Sequence, residues 1–138
     1  MAHYRKGADA ERELIHMLFC KGFSVVRVAG SGVTSLPCPD CIALSKRKKM
    51  AFECKAWSGN YLNLPRQQME EQVSWADTAG IEMYVAWKIP RQGWSFIDPK
   101  HFRKNPKNYA ISLKEALSKG VPFSVLIGEQ EQLKPKKA

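Results

Sequence analysis

Two acids and a lysine stand at matching ends of neighbouring apolar segments. Asp40 is the second residue of the segment PDCIAL, and Glu53 and Lys55 lie in the segment AFECKA. Four consecutive basic residues separate the two segments, so we predict a hairpin of two strands, 40–45 and 49–56. If its turn has two or four residues, all three side chains share one face, because opposed residues of an antiparallel pair point the same way and side chains alternate. A turn of odd length or a bulge would separate them.

Two carboxylates in a sheet interior are costly unless something offsets their charge. Lys55 offsets one, and a divalent cation such as Mg²⁺, or Mn²⁺ in its place, offsets both. A bound cation and a nearby ammonium together neutralise charge on a phosphate and orient a water nucleophile. The pattern therefore predicts metal-assisted phosphodiester hydrolysis. The alternative is a structural ion pair at a strand end.

A third acid lies in the helix that we predict over residues 7–21, which ends at Gly22. Its inward stripe is Leu14, Ile15 and Leu18. Glu11 precedes these residues by three, four and seven positions and therefore shares their face, whereas Glu13 points away. The first turns hold Asp9, Glu11 and Glu13, where acids suit the helix dipole. If this helix packs over the hairpin face, Glu11 joins the other acids; the alternative is an acid that faces solvent.

The remaining pattern predicts one α/β domain over residues 1–132 and a basic, disordered tail at 133–138. Other predicted features are a strand at 23–29, a loop around Ser31, a polar loop at 57–63, a helix from Pro65 to Gly80, strands at 82–89 and 94–97, irregular chain at 98–110 and a capped helix from Ser112. The segment after residue 120 suits either a helix or a strand. This order predicts a mixed central β-sheet flanked by helices.

The charge balance indicates a polyanionic partner. Lys and Arg total 22 against 13 Asp and Glu, which gives a net charge of +9. Nucleic acid is the usual partner of such a chain, an acidic membrane surface is the alternative, and solubility alone is the simplest explanation. No apolar run approaches the roughly 20 residues that span a bilayer, and the N-terminus lacks a signal-peptide core. We therefore expect a cytoplasmic protein with no membrane partner.

Four cysteines are expected to be thiols in a reducing compartment. Cys38 and Cys41 form a C-x-x-C pair, which leaves a zinc site or a disulfide open as alternatives. A structural zinc site needs four ligands, and neither a second C-x-x-C nor a histidine pair follows. Cys20 and Cys54 stand alone in apolar segments, where cysteine often packs as a small core residue.

Several of these segments together resemble a known family. The segments are YRKGADAERELIHML, GFSVVRVAGSG, PDCIAL and FECKAW. In this order they resemble the archaeal Holliday junction resolvases, which carry the P-D…(D/E)-x-K signature of the restriction-endonuclease-like nucleases. The resemblance is dense from Tyr4 to Trp57 and looser from there to about residue 130. It implies the restriction-endonuclease-like fold.

The resemblance also implies roles for individual residues. Glu11, Asp40 and Glu53 would be metal ligands, Lys55 would stabilise the transition state, and Ser31 would lie in an active-site loop. The enzyme would be a Mg²⁺-dependent homodimer that makes paired nicks in four-way junction DNA. The residues expected to contact DNA are Arg5, Lys6, Arg12, Arg27, Lys46, Arg47 and Lys48.

Two alternatives remain open. One is a branched-DNA or RNA binding module without catalysis, in which the acids are structural. The other is a nuclease of the same fold that reads sequence or damage. Cys38 and Cys41 are not part of the family signature, and the sequence does not indicate protein partners in recombination or replication.

Overall fold

A computed structural model describes residues 2–28 and 36–129 of the chain, with side chains from Lys6 onward. The helices are α1 (Ala2–Cys20), α2 (Arg66–Ala79), α3 (Leu113–Lys119) and α4 (Phe123–Leu126). The strands are β1 (Ser24–Arg27), β2 (Cys41–Leu44), β3 (Lys49–Ala56), β4 (Tyr61–Pro65), β5 (Glu82–Ile89), β6 (Gly93–Ile97), β7 (Arg103–Lys104) and β8 (Asn108–Ser112). A 3₁₀ turn spans Pro99–His101.

The strands form two sheets. The central sheet has five strands in the order β1-β2-β3-β5-β6. Only the β3–β5 pair is parallel, and the other pairs are antiparallel. The predicted mixed central sheet flanked by helices is therefore confirmed. A smaller antiparallel sheet, β4-β8-β7, was not predicted.

Helices α1 and α2 cover opposite faces of the central sheet. Leu14 and Leu18 of α1 pack in one core with Phe52 of β3. Ala76 of α2 packs against Ala51 on the opposite face. Because side chains alternate along a strand, even-numbered residues of β3 face α1 and odd-numbered residues face α2. Strand β3 is buried on both faces over residues 50–53, whereas β2 alternates between buried and half-buried positions.

The hairpin has the even turn on which the sequence argument depended. Its register runs from Cys41 opposite Phe52 to Leu44 opposite Lys49, which leaves four turn residues at 45–48. The Lys48 N–H donates to Ser45 Oγ at 3.0 Å and closes the turn. The regular register ends at Cys41. The Asp40 N–H donates to the carbonyl of Phe52, the residue that Cys41 faces, at 2.9 Å, so residues 40 and 41 both lie opposite Phe52, as in a β-bulge. Asp40 therefore leaves the strict alternation and reaches Glu53 from the plane of the sheet.

Helix α1 begins at Ala2, so the predicted start at residue 7 is wrong. Gly7 is tolerated inside the helix, where glycine costs only about 1 kcal/mol relative to alanine. Glu11 and Glu13 therefore lie in the middle of the helix, and the helix-dipole argument does not apply to them. The predicted end is correct: Gly22 has φ +90°, and the Phe23 N–H donates to the Leu18 carbonyl at 3.2 Å.

Two segments predicted to lack regular structure contain strands. Strand β4 occupies part of the expected polar loop at 57–63, with buried Leu62 and Leu64 alternating with exposed neighbours. Strands β7 and β8 and the 3₁₀ turn occupy much of 98–110. Strand β4 pairs with β8, which lies more than forty residues later. Such a distant partner has no signal in either segment taken alone.

Other predicted elements that lie within residues 36–129 are confirmed. Gly80 ends α2 in the left-handed conformation, with φ +70°. Strands β5 and β6 pair in antiparallel fashion. The Ser112 side chain caps α3 by accepting the Glu115 N–H at 3.0 Å. None of the helices in the described residues is long and apolar enough to cross a membrane. The proposed tail at 133–138 lies outside the described residues.

Candidate active site

Asp40 is fixed in the plane of the central sheet, immediately before β2. Its N–H donates to the Phe52 carbonyl, and its own carbonyl accepts the Val28 N–H, both at 2.9 Å. The carboxylate replaces the next backbone partner of β3, because Asp40 Oδ2 accepts the Cys54 N–H at 2.8 Å. Both backbone and side chain of Asp40 are therefore held where β2 and β3 separate.

Glu53 lies beside Asp40 on the face that α2 covers, and only 3% of it is exposed. Its Oε2 is 3.4 Å from Lys55 Nζ. Its Oε1 accepts a hydrogen bond from Gln72 Nε2 at 2.5 Å. The side chain of Lys55 is 34% exposed, so its ammonium is close to the buried acid and still reachable from solvent.

The negative charges of Asp40 and Glu53 repel one another. Burial and then the charge of Glu53 raise the pKa of Asp40 from 3.8 to about 7. The charge of Glu11 also contributes to this rise in pKa, whereas the Cys54 N–H and Lys55 oppose it. The two carboxylates of the site therefore carry more negative charge than the single ammonium of Lys55 offsets. A divalent cation relieves this kind of excess.

Glu11 does not lie over the acid face. Glu11 would lie there if α1 covered that face, as the sequence suggested, but α1 covers the opposite face. The Glu11 side chain is 16% exposed, and its Oε1 accepts a hydrogen bond from Arg27 Nε at 2.6 Å. Its charge still raises the pKa of Asp40, so Glu11 reaches the same end of the sheet from the other side.

The three predicted metal ligands are thus only partly brought together. Within residues 2–28 and 36–129, no three acidic, histidine or cysteine side chains are close enough to hold one metal ion. The structure assembles Asp40, Glu53 and Lys55, and it pairs Glu11 with a guanidinium. A ligand role for Glu11 stays a prediction.

Helix α2 contributes polar residues that sequence reasoning did not select. A cleft of about 260 Å³ opens beside the two acids. Its lining residues are Leu36, Pro37, Cys38, Asp40, Glu53, Gln68, Glu71 and Gln72. Gln72 follows buried Met69 by three positions and precedes buried Ala76 by four. A polar residue on an apolar stripe was the signal that selected Glu11, and the same signal was present for Gln72.

The predicted DNA-contacting residues are spread over the molecule. Exposed Arg12 pairs with Asp9 at 2.9 Å, and Lys6 is exposed on α1. The ammonium of Lys48 donates to the Leu126 carbonyl at 2.6 Å and ties the hairpin turn to α4.

The turn itself lies at the far end of the hairpin from the acids. Lys46 and Arg47 are exposed there. Four residues of β2 at about 3.3 Å each separate the turn from Asp40. Contacts of these residues with DNA stay predictions. Ser31 lies outside the described residues, as does the Arg5 side chain.

All four cysteines are free thiols, as expected. Cys41 is buried, and Cys54 hydrogen-bonds with it on the α1 side of the sheet. This hydrogen bond and then burial raise the pKa of Cys54 well above its ordinary value. Since thiolates are the reactive form, Cys54 is a packing residue beside the acids.

Comparison with known proteins agrees with this geometry. The sequence model of the archaeal Holliday junction resolvase (Hjc) family matches residues 2–135. The chain belongs to this family. The match spans both acid strands, α1 and α2, so the site described above lies entirely within the family's region.

Two curated relatives and one solved structure show the extent of the similarity. The crossover junction endodeoxyribonuclease Hjc of Archaeoglobus fulgidus is 40% identical over 77% of this chain and 78% of its own. The Hjc of Methanocaldococcus jannaschii is 36% identical over 95% and 93%. The 1.6 Å structure of A. fulgidus Hjc, described as a Holliday junction resolvase, superposes with a TM-score of 0.81 at 33% identity, covering 92% of this chain and 99% of the other. The predicted restriction-endonuclease-like fold is confirmed.

Proposed function

We propose that this chain is a Mg²⁺-dependent endonuclease that resolves four-way DNA junctions. The observation that carries the proposal is the convergence of Asp40, Glu53 and Lys55 at one end of the central sheet. Membership in the Hjc family supports a junction as the substrate, because the relatives are named for that activity.

The residues at the site fit a divalent cation. Asp40 and Glu53 supply hard oxygen ligands, and the pKa of Asp40 is raised first by burial and then by the negative charge of Glu53, which Lys55 only partly offsets. Mg²⁺ typically keeps several waters and uses one or two protein carboxylates, and Mn²⁺ accepts similar oxygen ligands. When bound, the cation would neutralise charge on the phosphate and favour ionisation of a water nucleophile.

The chain's own groups have separate tasks in this proposal. Lys55 Nζ, held 3.4 Å from Glu53 Oε2, donates to a non-bridging phosphate oxygen as negative charge builds there. Such a preorganised donor acts most strongly where water is excluded. Asp40, fixed by three backbone hydrogen bonds, keeps its carboxylate at the strand end without rotamer change.

The surface charge supports recognition of branched DNA by its backbone. A net charge of +9 favours phosphate contacts, and contacts to phosphates position a protein without reading bases. The substrate would thus be selected by its shape.

We further infer a homodimer, because a two-fold assembly presents two equivalent sites to a nearly two-fold junction and each site then cuts one strand. The four free thiols suit a reducing compartment, and we place the enzyme in the cytoplasm.

Cleavage of a labelled four-way junction tests the proposal. The wild-type protein should nick the junction only with Mg²⁺ or Mn²⁺ and leave a linear duplex of the same arms intact. Asp40→Asn and Glu53→Gln should abolish nicking while a gel-shift assay still shows binding. Binding without metal-dependent nicks in the wild type would indicate a non-catalytic module. Cleavage that follows the arm sequence and not the branching would indicate a nuclease of different specificity.

A further inference from the structure

Gln72 is a buried polar residue that no part of the proposed reaction uses. It lies on the inward stripe of α2, and only 4% of it is exposed. Its neighbours on that stripe, Met69 and Ala76, are apolar and pack into the core. An uncharged amide at such a position is costly unless its hydrogen bonds are made, so its partners indicate why it is there.

The amide nitrogen of Gln72 fixes Glu53. Gln72 Nε2 donates to Glu53 Oε1 at 2.5 Å, while Lys55 Nζ approaches Oε2 at 3.4 Å. The two oxygens of one carboxylate are therefore held from two different elements. Because the amide is neutral, it restricts the orientation of Glu53 without cancelling the charge that a cation needs.

The amide oxygen of Gln72 has no hydrogen-bond partner among the described residues, although it is fully buried. Rotating the amide by half a turn would not help, because its oxygen would then face an oxygen of Glu53 at 2.5 Å. A buried acceptor left in this state is a cost that a position selected for packing alone would avoid, and here it accompanies the contact of Nε2 with Glu53. The cleft that Gln72 shares with Asp40 and Glu53 measures about 260 Å³, which is room for several waters at roughly 30 Å³ each.

We propose that Gln72 is a positioning residue of the cation site: its Nε2 orients the carboxylate of Glu53, and its Oε1 is left buried without a partner so that this contact can be made. This inference rests on the proposed function, since it assumes that Asp40 and Glu53 hold a cation. Removing a residue that hydrogen-bonds to a metal ligand commonly changes the metal affinity 10- to 100-fold.

Calorimetric titration of the DNA-free protein with Mg²⁺ tests this role without relying on activity. Gln72→Met keeps the length of the side chain and removes both hydrogen-bonding atoms. We expect its Kd for Mg²⁺ to rise by about 10-fold or more. Gln67→Met, on the same helix at an exposed position where the glutamine bonds Glu71, is the matched control and should stay within about twofold of the wild type.

A purely structural role gives a different pattern. Gln72→Met would then melt at a lower temperature in EDTA but bind Mg²⁺ with wild-type affinity, and that result overturns the inference. Gln72→Glu provides a second readout, because it places a carboxylate against Glu53. Its melting temperature should fall in EDTA and rise more with Mg²⁺ than that of the wild type; an equal rise would also count against a role at the cation site.

The two proposals fail in different ways. If the wild type itself binds no Mg²⁺ or Mn²⁺, both the metal-dependent function and the role of Gln72 are wrong. If the wild type binds and Gln72→Met binds equally well, only the role of Gln72 is wrong.

Discussion

Asp40→Asn should make the metal-free protein more stable at pH 8. The asparagine keeps an oxygen that can accept the Cys54 N–H, which now bonds Asp40 Oδ2 at 2.8 Å. It removes the charge that burial and Glu53 oppose. A site selected for stability alone would lose stability on this change, whereas a site selected to bind a cation should gain it.

The magnitude follows from the pKa. The folded-state pKa of Asp40 is about 7, against an ordinary value of 3.8. Between these values the folded state holds the proton more tightly than the unfolded state, so stability falls as the pH rises from about 4 to 7. Each pH unit contributes about 1.36 kcal/mol, which gives about 4 kcal/mol in full. Solvent that reaches part of Asp40 screens some of this, and we expect a gain of about 2 to 4 kcal/mol at pH 8.

Urea unfolding in EDTA at pH 4, 6 and 8, at one fixed protein concentration, measures this difference. The gain for Asp40→Asn should grow between pH 4 and pH 8, while Asp77→Asn, at an exposed position of α2, should show little change. Saturating Mg²⁺ should restore stability to the wild type and much less to the variant. A variant that is less stable than the wild type at pH 8 in EDTA would refute the reasoning.

Three further predictions concern the cations of the chain. Lys55→Met should lower the rate of single-turnover cleavage by about 10²- to 10³-fold, the usual cost of removing one transition-state donor. The control Lys49→Met should leave this rate unchanged, and a gel shift should show little change in junction binding for Lys55→Met. Lys48→Met should lower the free energy of unfolding by about 1 to 2 kcal/mol in a urea titration, because its ammonium bonds the Leu126 carbonyl; unchanged stability would argue against that contact. If Lys46 and Arg47 both contact phosphates, removing them together should reduce by roughly two the number of counterions released on junction binding. A fluorescence titration measures this number as the slope of log affinity against log salt concentration, and an unchanged slope would exclude the turn from the interface.

The sequence predicted the acid strands because their geometry is local. Once the turn between β2 and β3 has four residues, Asp40 must lie near Glu53, and the period of two puts Glu53 and Lys55 on one face. The same period was visible in β4, where Leu62 and Leu64 alternate with polar neighbours, but an isolated five-residue alternation has no stabilising partner until β8 is known. Local patterns therefore predicted the hairpin and missed the sheet that depends on distant pairing.

The position of Glu11 could not be predicted in the same way. The stripe on α1 correctly indicated which side of the helix faces the core, but it contains no information about which face of the sheet the helix covers. That choice depends on the connection through β1 and on the packing of Leu14 and Leu18 against Phe52. A helix can be assigned its inward residues from periodicity, while its place in the layers of the fold requires tertiary contacts.

One signal nevertheless applies on both sides of the sheet. Each of the helices α1 and α2 carries a polar residue on its apolar stripe near the end where β2 and β3 separate: Glu11 on α1 and Gln72 on α2. A helix tolerates such an interruption only where the side chain gains a partner. Glu11 gains Arg27, and Gln72 gains Glu53. At the sheet end between them, α1 and α2 thus each place a polar side chain where an apolar one would otherwise pack. Because the acids there are also mutually repulsive, stability alone does not account for the arrangement, whereas the cation that we propose would.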